Sequence, residues 1–239
     1  MRGRSLTPRA FSPTGIRFEN IEKRYGGRYA LRSVSFEVAP GECLVLAGRN
    51  GSGKTTLLRV AAQLVRPSSG KVAFPRTAGS EGTTARSAGF VGHATMVYDE
   101  LTAEENLLLF ARLQETPAAA RRVDALLREV GLIERRDSLV RTFSRGMRQR
   151  IAIARALLHE PSVLLLDEPA TGLDPQGLDW LAEKLRSLGE AGCTIAMSLH
   201  GESEISSLAT RAIRLDAGSV VADTQAGGSV HSILTFAEA

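Results

Sequence analysis

Lysine is scarce in this chain: Lys23, Lys54, Lys71 and Lys184 are the only four among 239 residues, and arginine carries nearly all the positive charge. A lysine in a special setting therefore draws notice. Cysteine is scarcer still, and both Cys43 and Cys193 sit inside apolar runs. Two such thiols exclude a disulfide framework and a cysteine metal site, and they suit a reducing compartment. Long apolar runs are also missing. None approaches the roughly 18–20 residues needed to cross a bilayer, and no hydrophobic signal segment follows Met1. There is no run of five or more basic residues and no internal repeat. A net charge of +4 and a pI of 9.4 admit nucleic acid or anionic lipid as partners. Because the cations are interleaved with carboxylates, no dedicated nucleic-acid surface is expected. What the chain does have is 43% apolar residues, enough for one large domain or two lobes.

The opening MRGRSLTPRAFSPTG is arginine-rich and free of acid, and residues 1–15 read as a disordered tail. From Ile16 the pattern is short strands, IRFENIE, SVSFEV and CLVLAG, parted by YGG and PGE turns. A Gly-rich loop and a helix over TTLLRVAAQLV follow, then a turn at RPSSG and a strand at KVAFP. Residues 77–88 read as loop. Thr102 and Glu105 form a capping box that opens a helix, each side chain satisfying the other's orphan amide. Thr116-Pro117 is expected to start a second helix and Ser144 a third. SVLLLD and CTIAMSL read as buried strands, Asp174-Pro175 caps a helix between them, and AIRLDAGSVVAD forms a terminal hairpin. Strand–helix alternation interrupted by helices predicts an α/β fold with a helical insertion over about residues 95–160. Residues 226–239 read as a C-terminal tail.

The strongest motif is Gly48-Arg49-Asn50-Gly51-Ser52-Gly53-Lys54-Thr55, a complete G-x-x-x-x-G-K-[ST] between a strand and a helix. The glycines let backbone N–H groups turn toward phosphate oxygens. Lys54 brings a point charge to the β- and γ-phosphates, and the Thr55 hydroxyl is a Mg²⁺ ligand. The helix N-terminus adds its dipole. The second motif is Val163-Leu164-Leu165-Leu166-Asp167-Glu168, an apolar strand ending in two carboxylates. Asp167 fits a Mg²⁺ ligand, and Glu168 fits the base that polarises an attacking water. The pairing favours hydrolysis over phosphoryl transfer to an organic acceptor. His200 follows a buried strand, where a γ-phosphate sensor can sit.

In this order the motifs resemble the nucleotide-binding subunit of ABC ATPases, across nearly all of residues 16–224. The resemblance implies a P-loop ATPase core over 16–225, with an N-terminal antiparallel β subdomain and a helical subdomain. It implies ATP and Mg²⁺ as cofactors. Gly48 through Thr56 match the Walker A loop and Val163 to Glu168 the Walker B strand. Tyr25 matches the aromatic that stacks on adenine, Thr171–Asp174 the D-loop, and His200 the switch histidine. TFSRGMRQR, Thr142 to Arg150, matches the signature segment, with Ser144 and Gly146 in place. It departs from LSGGQ at Arg145 and Met147. Arg145 either adds a cation to phosphate binding or faces solvent.

His93 stands where the family's Q-loop carries glutamine, so it is expected to line the active site. The family arrangement implies a homodimer or paired ATPase subunits, each nucleotide lying between one chain's P-loop and the other's signature. It also implies separate integral membrane permease subunits and a peripheral place on the cytoplasmic face of the membrane. The Gly92-His93 pair resembles the ATP-binding subunit of the haem exporter of cytochrome c biogenesis. Another ABC-2-type exporter, of drugs, lipids or polysaccharides, stays open, as does a soluble ABC protein of translation or DNA repair. A regulatory module that does not hydrolyse is disfavoured by Lys54, Asp167, Glu168 and His200 occurring together.

Overall fold

The computed structural model describes residues 14–74, 88–199 and 204–235. Most of the N-terminal tail, most of the 77–88 loop, His200 and the last four residues lie outside the described residues. Two sheets organise the chain. The first is antiparallel and three-stranded, in the order β2 (Arg28–Val38), β1 (Ile16–Tyr25), β4 (Ser69–Ala73). The second contains β5 (Ala88–Val91), β6 (Val163–Asp167), β7 (Thr194–Ser198), β3 (Cys43–Ala47), β8 (Arg211–Asp216) and β9 (Ser219–Asp223), in that spatial order. Its first five strands run parallel, and β9 returns antiparallel to β8.

Strands β3, β6 and β7 are buried at every position, which is why they read as unbroken apolar runs rather than alternating ones. Successive side chains still point to opposite faces. Leu44, Leu46, Val163 and Leu165 join the core under the antiparallel sheet, together with Leu57, Leu58 and Val60 of α1 (Lys54–Ala61). Val45, Ala47, Leu164 and Leu166 join the other core. That core is closed by α2 (Ala103–Leu113), α3 (Ala119–Glu129), α4 (Arg145–Leu157) and α5 (Pro175–Glu190).

The capping signals hold where they are local. Thr102 and Glu105 form the reciprocal box at α2, Ser144 Oγ accepts from Met147 N, and Asp174 Oδ1 accepts from Gly177 N. Three expectations shift. The first helix stops at Ala61 instead of running to Val65, because the chain turns at Gln63, whose φ is 58°. The second insertion helix starts at Ala119, not at Thr116-Pro117. The Thr116 N–H is already used by Ala111 O, closing α2, and Ala118 enters with φ 51° and no side-chain cap. The segment read as a C-terminal tail carries α6 (Val230–Thr235), with Ile233 and Leu234 buried.

Candidate functional site

The Gly-rich loop joins β3 to α1, and its glycines are demanded by close approach. At Gly48, where φ is 137°, a Cβ would lie 2.3 Å from Leu215 O; at Gly53, where φ is 113°, it would lie 2.7 Å from Ala30 O. No side chain fits either place. The loop is also stapled from the β8–β9 turn, where Gly218 N donates to Ser52 O and Arg32 N donates to Gly218 O. Through Ala30 and Arg32 the antiparallel sheet is thus packed onto the loop. Tyr25 ends β1 in the same hairpin, 51% exposed, with Lys23 Nζ 4.9 Å from its ring centroid.

Lys54 is the buried lysine of the chain, 6% exposed, and its Nζ donates to Gly48 O and, at 3.2 Å, to Arg49 O. Burial pulls its pKa below the ordinary lysine value, while Glu168 and Asp167 pull the other way. The carboxylates reach it from the end of β6. Asp167, 1% exposed, accepts through Oδ1 from Thr55 Oγ1 at 3.0 Å and from Ser198 Oγ at 2.8 Å. Its Oδ2 is buried with no hydrogen-bond partner among the described residues. An orphaned carboxylate oxygen next to a threonine hydroxyl fits a hard divalent cation completed by phosphate oxygens and water. No cluster of three His, Cys, Asp or Glu side chains that could hold a metal ion occurs among the described residues.

Glu168 sits in the left-handed region at φ 53°, a conformation that costs a non-glycine residue about 1 kcal/mol. The turn is held because Glu168 N donates to both Ser198 O (3.2 Å) and Ser198 Oγ (3.0 Å). Gln149, 5% exposed on α4, donates Nε2 to Pro169 O and secures the next peptide. His93 Nδ1 lies 3.9 Å from Glu168 Oε2, so the structure brings these two together. They share a cavity of about 360 Å³ with Asp99, Arg145, Arg148 and Thr171.

Of the signature segment, Arg145, Arg148 and Gln149 line this cavity beside Glu168. Gly146 lies against Gly172, where a Cβ on Gly146 would come 2.9 Å from Gly172 O; the P-loop glycines instead face Leu215, Ser52 and Ala30. Two contributors escaped the sequence reading. Ser198, fully buried, ties Asp167 to Glu168, and its signal was a hydroxyl inside the otherwise apolar strand TIAMS. Gln149 gave no signal, since a glutamine on an amphipathic helix reads as solvated.

A strand-to-helix phosphate loop, a carboxylate pair ending a second strand of the same parallel sheet and an appended antiparallel sheet define a P-loop ATPase cassette. The family model described as ABC transporter matches residues 31–171. The chain belongs to the ABC transporter family, as an ATP-hydrolysing cassette subunit. It is 38% identical over 223 residues to the Nod factor export ATP-binding protein I of Burkholderia orbicola, covering 92% of this chain and 72% of that one. It is 38% identical to the daunorubicin resistance ATP-binding protein DrrA3 of Streptomyces coeruleorubidus, covering 88% and 68%. Among solved structures, an ATP-binding subunit of an ABC transporter superposes with a TM-score of 0.81 at 29% identity, covering 94% of this chain and 99% of that one. The cassette MJ0796, dimeric and bound to ADP and phosphate, superposes with a TM-score of 0.78 at 27% identity, over 87% and 97%. None of these relatives is named for haem, so the cargo suggested by Gly92-His93 finds no support among them.

Proposed function

We propose that the chain powers an export system as a dimer, with residues 16–225 forming the ATPase unit. One observation carries the reading. Lys54, Thr55, Asp167 and Glu168 gather at one place, whereas Gly146 of the signature, within one turn of the Ser144 cap, packs on Gly172. Each chain then presents two half-sites, and a second chain, identical or paired, completes both. MJ0796 is a dimer in its ADP- and phosphate-bound state, which supports the same reading here.

Within such a site the backbone amides of Gly48 through Thr56 grip the phosphates, Tyr25 stacks on adenine, and Lys54 stabilises charge at the β–γ bridge. Mg²⁺, when bound, neutralises phosphate charge; Thr55 Oγ1 and Asp167 Oδ2 fit as its protein ligands. Glu168 takes a proton from water as the water oxygen bonds to the γ-phosphorus and the bridging oxygen leaves with ADP. His93 orients Glu168 and that water, and His200 senses the γ-phosphate. Ser144 and the amides after it meet the phosphates of the opposing chain.

No described helix is long and apolar enough to cross a membrane. Relatives named as ATP-binding proteins of export and resistance systems support assigning the cargo path to a separate permease and this chain to the cytoplasmic membrane face. Met96 and Tyr98, 46% and 54% exposed on the loop after His93, support a partner-facing patch there. For the cargo we adopt the ABC-2-type exporter reading over haem. The relatives are named for Nod factor export and for daunorubicin and linearmycin resistance, while the haem reading rests on Gly92-His93 and the YDELTAEENLLLFARL segment after it. Affinity purification of the tagged chain from detergent-solubilised membranes tests the proposal. It predicts recovery with a polytopic membrane protein. Recovery only from the soluble fraction, with translation or DNA-repair machinery, would overturn it.

A further inference from the structure

Arg145 stands in the signature where the family's usual glycine is absent, and its side chain has a defined seat. A Cβ built on Gly172 would meet Arg145 Cγ at 2.7 Å, Cδ at 2.8 Å and Nε at 3.1 Å. The aliphatic stem therefore fills the space a side chain at 172 would need, over a residue whose φ is 84°. Gly146 abuts the same peptide. One turn further along α4, Arg150 Nη2 reaches Asp174 Oδ1 at 3.0 Å, while that carboxylate also caps α5 through Gly177 N. The 170–174 turn is continuous with Glu168: Thr171 N donates to Glu168 O. The guanidinium of Arg145 itself has no hydrogen bond or ion pair among the described residues and lines the cavity beside Glu168.

We propose that Arg145 is a positioning residue whose stem, seated on Gly172, joins the signature helix to the Glu168 turn of the same chain as one unit. A displacement of Ser144 by a nucleotide held on the opposing chain then reaches this chain's own Glu168. The two sites of a dimer are thereby coupled through packing, not through the charge. The inference rests on the dimer proposed above.

Steady-state ATPase titrations of the wild type and of R145A, R145M and R145K test it, alongside nucleotide affinity measured on each. The wild type hydrolyses with a Hill coefficient above one. R145A, lacking the stem, loses about tenfold in kcat and its Hill coefficient falls to one, with nucleotide affinity at the P-loop unchanged. R145M and R145K keep the stem and retain the wild-type coefficient. Loss in R145M with retention in R145K would overturn the packing argument in favour of charge, and so would an R145A enzyme with wild-type cooperativity. A wild type that forms no ATP-dependent dimer would instead sink the dimer reading, which separates the two failures. Hydrogen exchange at residues 170–174 supplies a readout independent of turnover: faster exchange is expected in R145A only.

Discussion

Replacing Ser198 with alanine removes one hydroxyl and two hydrogen bonds from the interior of the site. The Oγ donates to Asp167 Oδ1 at 2.8 Å and accepts from Glu168 N at 3.0 Å. The first bond is to a charged acceptor, worth about 1.5–3 kcal/mol, and the second is between neutral groups. The Glu168 amide keeps its backbone acceptor, Ser198 O, at 3.2 Å, so the second loss is small. Asp167 Oδ1 keeps only Thr55 Oγ1, and its Oδ2 already lacks a partner among the described residues. A net destabilisation of about 2 kcal/mol follows. With a urea slope of about 3 kcal/mol/M, the midpoint falls by about 0.7 M. The carboxylate pair also loosens, and if most of that energy is expressed in the transition state, kcat falls about tenfold. Urea unfolding followed by circular dichroism, with coupled-enzyme ATPase assays on the same preparations, measures both. A Ser198→Ala protein matching the wild type in midpoint and in kcat would refute the view that this hydroxyl ties the two carboxylates together.

A buried ion pair gives a pH-dependent prediction away from the site. Arg211, 2% exposed, pairs with Asp223 Oδ2 at 2.6 Å and also donates to Glu37 O, tying the two sheets together. The Arg211 hydrogen bond, helped by the Gln225 N–H and opposed by burial, holds the Asp223 carboxyl below its ordinary 3.8. A depressed folded-state pKa stabilises the fold fully above 3.8, and the contribution disappears as pH falls through the lower folded value. Asp223→Asn should therefore cost about 2 kcal/mol between pH 5 and 7, the loss of a hydrogen bond to a charged group, with the gap to wild type closing below pH 3.8; a gap constant at all pH would refute the pairing. At His93, replacement by glutamine should preserve hydrolysis, because either side chain can place a hydrogen-bonding atom beside Glu168. A loss of about 10²-fold in kcat would show that the imidazole itself is required.

Much of the site was legible because its parts are local. A phosphate loop needs glycines at fixed offsets, a buried parallel strand reads as VLLLD, and the caps at Thr102, Ser144 and Asp174 are set by residues within one turn. The parts that were not legible depend on residues far apart in the chain. Ser198 meets Asp167 through the β6–β7 register, and Gln149 meets Pro169 through the packing of α4. The end of α1 and the start of α3 were misplaced because the chain reverses at Gln63 and Ala118, neither of which carries a turn signature. Strand order likewise cannot come from alternation alone, since β3 lies between β7 and β8. His93 was read as lining the active site from its register with the other motifs, and its Nδ1 lies 3.9 Å from Glu168 Oε2; as a cargo label it finds no support among relatives named for Nod factor export and drug resistance.

The most direct test of the account is gel filtration of the Glu168→Gln protein with ATP and Mg²⁺, with Lys54→Ala as the matched control. Removing the Glu168 carboxylate, the proposed base, while leaving Lys54, Thr55 and Asp167 intact should trap nucleotide between two chains. The account predicts an ATP-dependent dimer for Glu168→Gln and a monomer for Lys54→Ala. A Glu168→Gln protein that stays monomeric, or that hydrolyses ATP at the wild-type rate, would contradict it.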